Sequence, residues 1–90
     1  MKIIFTKHAL EKFAVLESFG WKISKNKICQ TLLKPRWSGK SNFGQGTAMD
    51  LVDKTHIIRV IFNKEKDEND DIIKVVTFHV ARRGTYESTK

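Results

Sequence analysis

Pro35 separates two stretches of different hydrophobic period, and that change constrains the fold more than any other feature of the chain. Before it, apolar residues recur at helical spacing; after it, they come in short blocks rich in Val, Ile, Phe and Thr. Proline lacks an N–H and crowds the preceding turn, so no helix runs on through Lys34-Pro35. Two helix patterns precede it. Thr6 is placed to cap the first, with Phe5 stapled onto Leu10 and Gly20 ending it in a left-handed residue. Leu10, Phe13, Ala14 and Glu17 share one side, and Ala9, Leu16 and Phe19 widen the apolar stripe. His8, Glu11 and Lys12 lie toward the polar side. Ser24 caps the second pattern, whose apolar positions are Ile28, Cys29, Leu32 and Leu33, with Ile23 stapled onto Ile28.

A short strand is expected at 2–5, ahead of the first helix. Beyond Trp37, Gly39, Gly44 and Gly46 mark turns and short extended pieces. Residues 47–53, 56–63 and 72–81 read as strands, with a tight reversal at Asp53-Lys54. In 64–71 every residue but Asn69 is charged, which suits a solvated hairpin loop without chemistry. Helices followed by consecutive strands imply one α+β domain over residues 1–90, with two helices packed on one face of an antiparallel sheet. No apolar run approaches the roughly 20 residues that span a bilayer, so no membrane partner is expected. The run that follows Met1 stops at Phe5, too short for a secretory core. Cys29 is the single cysteine, so no intrachain disulfide forms and a cytoplasmic setting is the default. Its own expected role is that of a small buried hydrophobe.

The formal net charge of +7 is unevenly placed. Residues 1–40 hold nine Lys/Arg against two acids, whereas 41–90 hold eight of each. A one-sided basic half attracts polyanions such as nucleic acid through phosphate contacts and counterion release. The plainer alternative is that exposed lysines keep a small domain soluble.

Strand alternation decides which side chains are free for chemistry. In the last strand it places Val76, Phe78 and Val80 on a helix-facing side, and Val75, Thr77 and His79 on the other, with Arg83 if the phase continues. In the strand before, Ile58, Val60 and Phe62 share one face and Ile57, Arg59 and Ile61 the other. Arg59 in mid-strand needs either a wet groove or a cross-strand partner such as Asp50. From Thr77 onward the chain gathers an imidazole (His79), two guanidiniums (Arg82, Arg83), a phenol (Tyr86) and hydroxyls. Guanidiniums match phosphate oxygens in pairs, and an imidazole moves protons near neutrality. Together they suit metal-free RNA cleavage: a base takes the 2′-OH proton, cations stabilise the phosphorane, and an acid protonates the leaving oxygen. The alternative is a strand end with a solvated basic tail.

Other motifs fail. Gly39-Lys40-Ser41 resembles the end of a phosphate-binding loop, but its required first glycine is Lys34 and no strand precedes it. Gly44-Gln45-Gly46 lacks the third glycine and helix of a dinucleotide fingerprint. The three histidines and the cysteine fall on separate elements without metal-ligand spacing, so neither a metal nor another cofactor is expected. Trp21 and Trp37 flank the second helix, where packing is the expected role rather than base stacking.

The opening Phe5-Thr6-Lys7-His8-Ala9 with Lys12-Phe13, then Gly20, Ile23-Ser24 and Pro35, resembles a prokaryotic domain family that begins F-T-x-H-A-x-x-[RK]-[MF]. The ending Ala81-Arg82-Arg83-Gly84-Thr85-Tyr86-Glu87 is similar to that family's A-R-R-x-x-Y-E close. The family in turn resembles the RelE-like ribonuclease superfamily, which includes toxins of toxin–antitoxin pairs. The resemblance implies helices packed on an antiparallel sheet and RNA cleavage without a metal. It further implies RNA as partner, including ribosome-bound mRNA, and an acidic antitoxin protein. By position, His8 and Lys12 match the family's helical histidine and basic residue, and Arg82, Arg83 and Tyr86 match its ending; Thr77 and His79 enter from strand phase alone. The expected roles are proton transfer by His8 or His79, phosphate binding by Arg59, Arg82 and Arg83, and base positioning or proton donation by Tyr86. Thr77 and Lys12 complete the RNA-binding set. A non-catalytic RNA-binding or protein-interaction module remains the other reading. The acidic stretch 64–71 and the long segment 37–46 set this chain apart from many relatives.

Overall fold

The structure, a computed structural model, describes residues 2–86. Along the chain run β1 (Lys2–Phe5), α1 (Lys7–Ser18), α2 (Lys25–Leu33), β2 (Trp37–Lys40), β3 (Gly46–Leu51), β4 (His56–Lys66) and β5 (Asp71–Arg82). The strands form one sheet in the order β1-β5-β4-β3-β2. From β2 to β5 the pairing is antiparallel, as the meander requires, but β1 lies parallel to β5. The α+β expectation therefore holds, while the sheet is mixed. Both helices intervene between β1 and β2, so the chain crosses to the far edge and works back until β5 meets β1.

The helix ends follow local chemistry. Thr6 Oγ1 accepts the N–H of Ala9 and Ser24 Oγ that of Lys27, each satisfying an amide that has no carbonyl partner inside its helix. Gly20, at φ +93°, closes α1: its N–H donates to Glu17 and that of Trp21 to Leu16. The first expected staple does not form. Phe5 packs its ring on Phe13 at 5.8 Å instead, and Leu10 stays exposed. Phe19 also points to solvent at 75% exposure, because α1 ends there and nothing faces it.

The core joins Ala9, Leu16 and Ile28 of the helices to Ile58, Val60, Val75 and Phe78 of the sheet. Phe78 is fully buried and its ring lies 4.8 Å from Phe13. Burying such a side chain contributes about 1.5–3 kcal/mol. Thr31, buried within α2, returns its hydroxyl proton to Lys27 O at 2.8 Å and so leaves no unsatisfied donor. Cys29 is only half-buried.

Three features of the strands depart from the sequence reading. First, Val75 and not Val76 belongs to the core, because a bulge at Val76 shifts the phase of β5: Ile61 pairs with Thr77, but Phe62 pairs with Val75. Thr6 pins that bulge, donating its N–H to Val75 O and its hydroxyl to Val76 O. Second, half of the charged stretch 64–71 is strand. Opposite charges meet across the hairpin, Glu65 with Lys74 at 3.7 Å and Lys66 with Asp71 at 3.9 Å, so the turn shrinks to 67–70. Third, residues 52–55 form the β3–β4 turn, which shortens the strand expected at 47–53. There Asp53 Oδ1 accepts the Thr55 N–H at 2.8 Å, the main reason its carboxyl titrates below the ordinary range. Among the described residues, no helix is long and apolar enough to cross a membrane.

Candidate active site on the far face of the sheet

Residues directly opposite in antiparallel strands point to the same side. Ile58, Val60, Phe78 and Val80 face the helices' buried residues, so the residues between them face away. On that far face the register lines up Trp37, Met49, Arg59 and His79 across β2, β3, β4 and β5. The next row holds Gly39, Thr47, Ile61 and Thr77. The short β2 completes these rows, and it is the element that composition made least visible.

After β5 the chain folds back. Thr85 N–H donates to Arg82 O at 3.2 Å, with Gly84 at φ +90° in the turn, and Arg83 N–H donates to Thr55 O at 2.9 Å. A side chain at Gly84 would be strained in this left-handed backbone. The return sets the Tyr86 ring 4.3 Å from the Arg59 guanidinium and edge-on to His79 at 5.5 Å. The Arg83 guanidinium lies 5.8 Å from the Trp37 ring.

His79 is the most perturbed group here. Its Nε2 is buried and, among the described residues, has no hydrogen-bond partner. Burial first, then the positive charges of Arg59 and Lys12, hold its pKa below the ordinary 6.5. The imidazole is therefore neutral at neutral pH and able to take up a proton. Arg59 makes no ion pair among the described residues. Asp50 does not serve it, because the register puts Asp50 opposite Ile58, on the helix side. That carboxylate instead receives Lys27 at 3.3 Å and Arg36 at 3.6 Å.

The candidates from sequence thus divide. His79, Arg59, Tyr86 and Thr77 share the far face, Arg83 joins them through Trp37, and Lys12 reaches His79 by its charge. Arg82 takes the phase of Val80, opposite His56, and so points away from His79. His8 is exposed in the first turn of α1 and makes no hydrogen bond or ring contact with the cluster among the described residues. Glu87, the last residue of the ending motif, lies outside the described residues.

Sequence reasoning missed Trp37 as part of this face, and also the group formed by His56, Asp53 and Trp21. His56 Nδ1 lies 3.2 Å from Asp53 Oδ1 and 2.9 Å from Thr55 Oγ1, and its ring is 4.7 Å from Trp21. Its signal was the Asp-x-x-His spacing across a turn. The arrangement fixes the β3–β4 turn against the start of the interhelical segment. A groove of about 450 Å³ beyond the end of α2, lined by Leu32, Leu33, Pro35, Phe62 and Ile73 among others, contains neither histidine nor arginine. The chemistry-bearing side chains lie instead on the far face. Among the described residues, no three His, Cys, Asp or Glu side chains come together as metal ligands would. No protein-family model, curated protein or solved structure matches the chain.

Proposed function

We propose that this protein is a RelE-like endoribonuclease that cleaves RNA without a metal ion, acting in the cytoplasm as the toxin of a toxin–antitoxin pair. The observation that carries the reading is His79: an imidazole whose buried Nε2 has no partner among the described residues, opposite Arg59 on the neighbouring strand, edge-on to the Tyr86 ring and within range of the Lys12 charge. In this mechanism His79 takes the proton of a ribose 2′-OH. The 2′-oxygen attacks the adjacent phosphorus, and the bond from phosphorus to the 5′-oxygen breaks. The products are a 2′,3′-cyclic phosphate and a 5′-hydroxyl. Arg59 and Lys12 bear the charge that builds on the phosphate oxygens, and the Tyr86 hydroxyl donates the proton to the leaving oxygen and recovers it from solvent. Thr77, in the next row, lines the approach to His79. Among the described residues, Lys27 and Arg36 of the basic first forty are engaged by Asp50 and Lys25 lies over the Phe5 ring; the remaining cations supply attraction for an RNA strand or an acidic antitoxin.

The test is incubation with naked and with ribosome-bound RNA in the presence of EDTA, followed by analysis of the new ends. Cyclic phosphate and 5′-hydroxyl ends are expected; well-folded protein that leaves both substrates intact rules the activity out. One observation favours a second reading, a non-catalytic RNA-binding module: the Tyr86 ring covers Arg59 and His79 together. In that case binding persists in His79→Ala and no new ends form.

A further inference from the structure

Trp37 belongs to the far face, yet the cleavage chemistry does not use it. It stands on the edge strand β2, at the opposite end of the row from His79. Its indole is half-buried, and two guanidiniums approach the ring: Arg36 at 5.7 Å and Arg83 at 5.8 Å. Arg36 also pairs with Asp50 at 3.6 Å. Covering Met49, which is 4% exposed, would need only an aliphatic side chain. An aromatic ring with guanidiniums over it is instead a combination that holds a nucleobase together with its phosphate, the base taking the place of a cation on the ring.

Position along the row restricts which base it can be. Trp37 and His79 are three strand spacings apart, about 14 Å, more than one nucleotide covers. A base on Trp37 therefore belongs to a neighbour of the nucleotide whose phosphate sits at Arg59 and His79. Between them lies Met49, uncharged and already covered, so the strand passes over the side chains that enclose it. A base splayed out far enough to stack cannot be paired, so the strand must be single there.

We propose that Trp37 is a base-stacking subsite, which takes an unpaired base of an RNA strand laid across the sheet from β5 to β2. The proposal rests on the reading of Arg59 and His79 as the phosphate end of the site, and it extends that end by at least one nucleotide. Arg83 then serves the base end of the track rather than the reacting phosphate.

The experiment uses the full chain labelled with fluorotryptophan and a single-stranded 2′-O-methyl oligoribonucleotide of mixed sequence, which lacks the attacking hydroxyl and cannot be cleaved. Fluorine NMR then reads the two tryptophans separately, with Trp37→Phe identifying the signals. Saturating oligonucleotide should shift the Trp37 resonance and leave Trp21 in place. Affinity should fall about tenfold in Trp37→Leu, which keeps an apolar cover over Met49, and survive in Trp37→Phe, which keeps a stacking ring. Binding with an unmoved Trp37 signal, or equal affinity in the folded Leu variant, overturns the subsite. Cleavage that is unaffected by Trp37→Leu likewise removes the subsite while leaving the nuclease standing. A shifted Trp37 and a weakened Leu variant without any cleavage keep the subsite and remove the nuclease. A folded protein that binds no strand overturns both.

Discussion

Phe78 and His79 are neighbours in sequence and look out from opposite sides of β5. Phe78 is fully enclosed by the core and its ring packs on Phe13. His79 is half-buried, among Arg59, Tyr86 and the charge of Lys12, and among the described residues its buried Nε2 has no partner. On β4 the same contrast separates Val60 from Arg59. The helix side is given to packing; the far face also buries Ile57 and Met49, but beside them it confines polar groups that would be better solvated apart. A buried polar atom without a partner destabilises the fold, so the far face is where stability is given up. That is the usual place to look for chemistry.

The two faces should respond to substitution in opposite ways. His79→Ala is expected to lower RNA cleavage about 10²–10⁴-fold, the worth of a general base, with a melting temperature equal to or above that of the native protein. It should also change how stability depends on pH. The folded pKa of His79 lies below 6.5, so its contribution to stability is full above 6.5 and is lost as pH falls through the folded value. His79→Ala should remove that loss, as thermal melts across pH would report. Phe78→Ala should do the reverse, destabilising by about 3–5 kcal/mol in urea unfolding and losing activity only because the native state is depleted. If the two variants were equally unstable, the distinction between the faces would collapse.

Smaller effects refine the boundary between them. Thr6→Ala removes an N-cap and the anchor of the Val76 bulge together. A loss of about 1–2 kcal/mol is expected, along with faster amide exchange at Thr77, whose phase the bulge sets. Asp50→Asn should matter least. It weakens partly exposed contacts to Lys27 and Arg36, worth about 1 kcal/mol or less, and cleavage per folded molecule should fall only to the small extent that Arg36 supports the Trp37 subsite.

What could be read from sequence was what neighbouring residues decide. Thr6, Ser24 and Gly20 act within four residues of themselves, and their caps are where the sequence puts them. The alternation in β4 is likewise local, and Arg59 faces away from Val60 as expected. In β5 the alternation fails at Val75 because Thr6, seventy residues earlier, holds the bulge. The charged stretch looked like a loop because composition does not show that Glu65 and Lys66 meet Lys74 and Asp71 across a hairpin. Asp50 reads as one of two answers for Arg59, beside a wet groove, for want of a register, and Trp37 reads as packing for the same reason. The basic first forty residues supply attraction; Lys12 is the one of them whose charge bears on His79.

The pH dependence of kcat/KM for RNA cleavage in EDTA, measured on the native protein and on His79→Ala, tests the account most directly. The account predicts a rise governed by His79, with its midpoint below 6.5 and a plateau through neutral pH, absent from the variant. A midpoint above 6.5, or the same profile in both proteins, would contradict it.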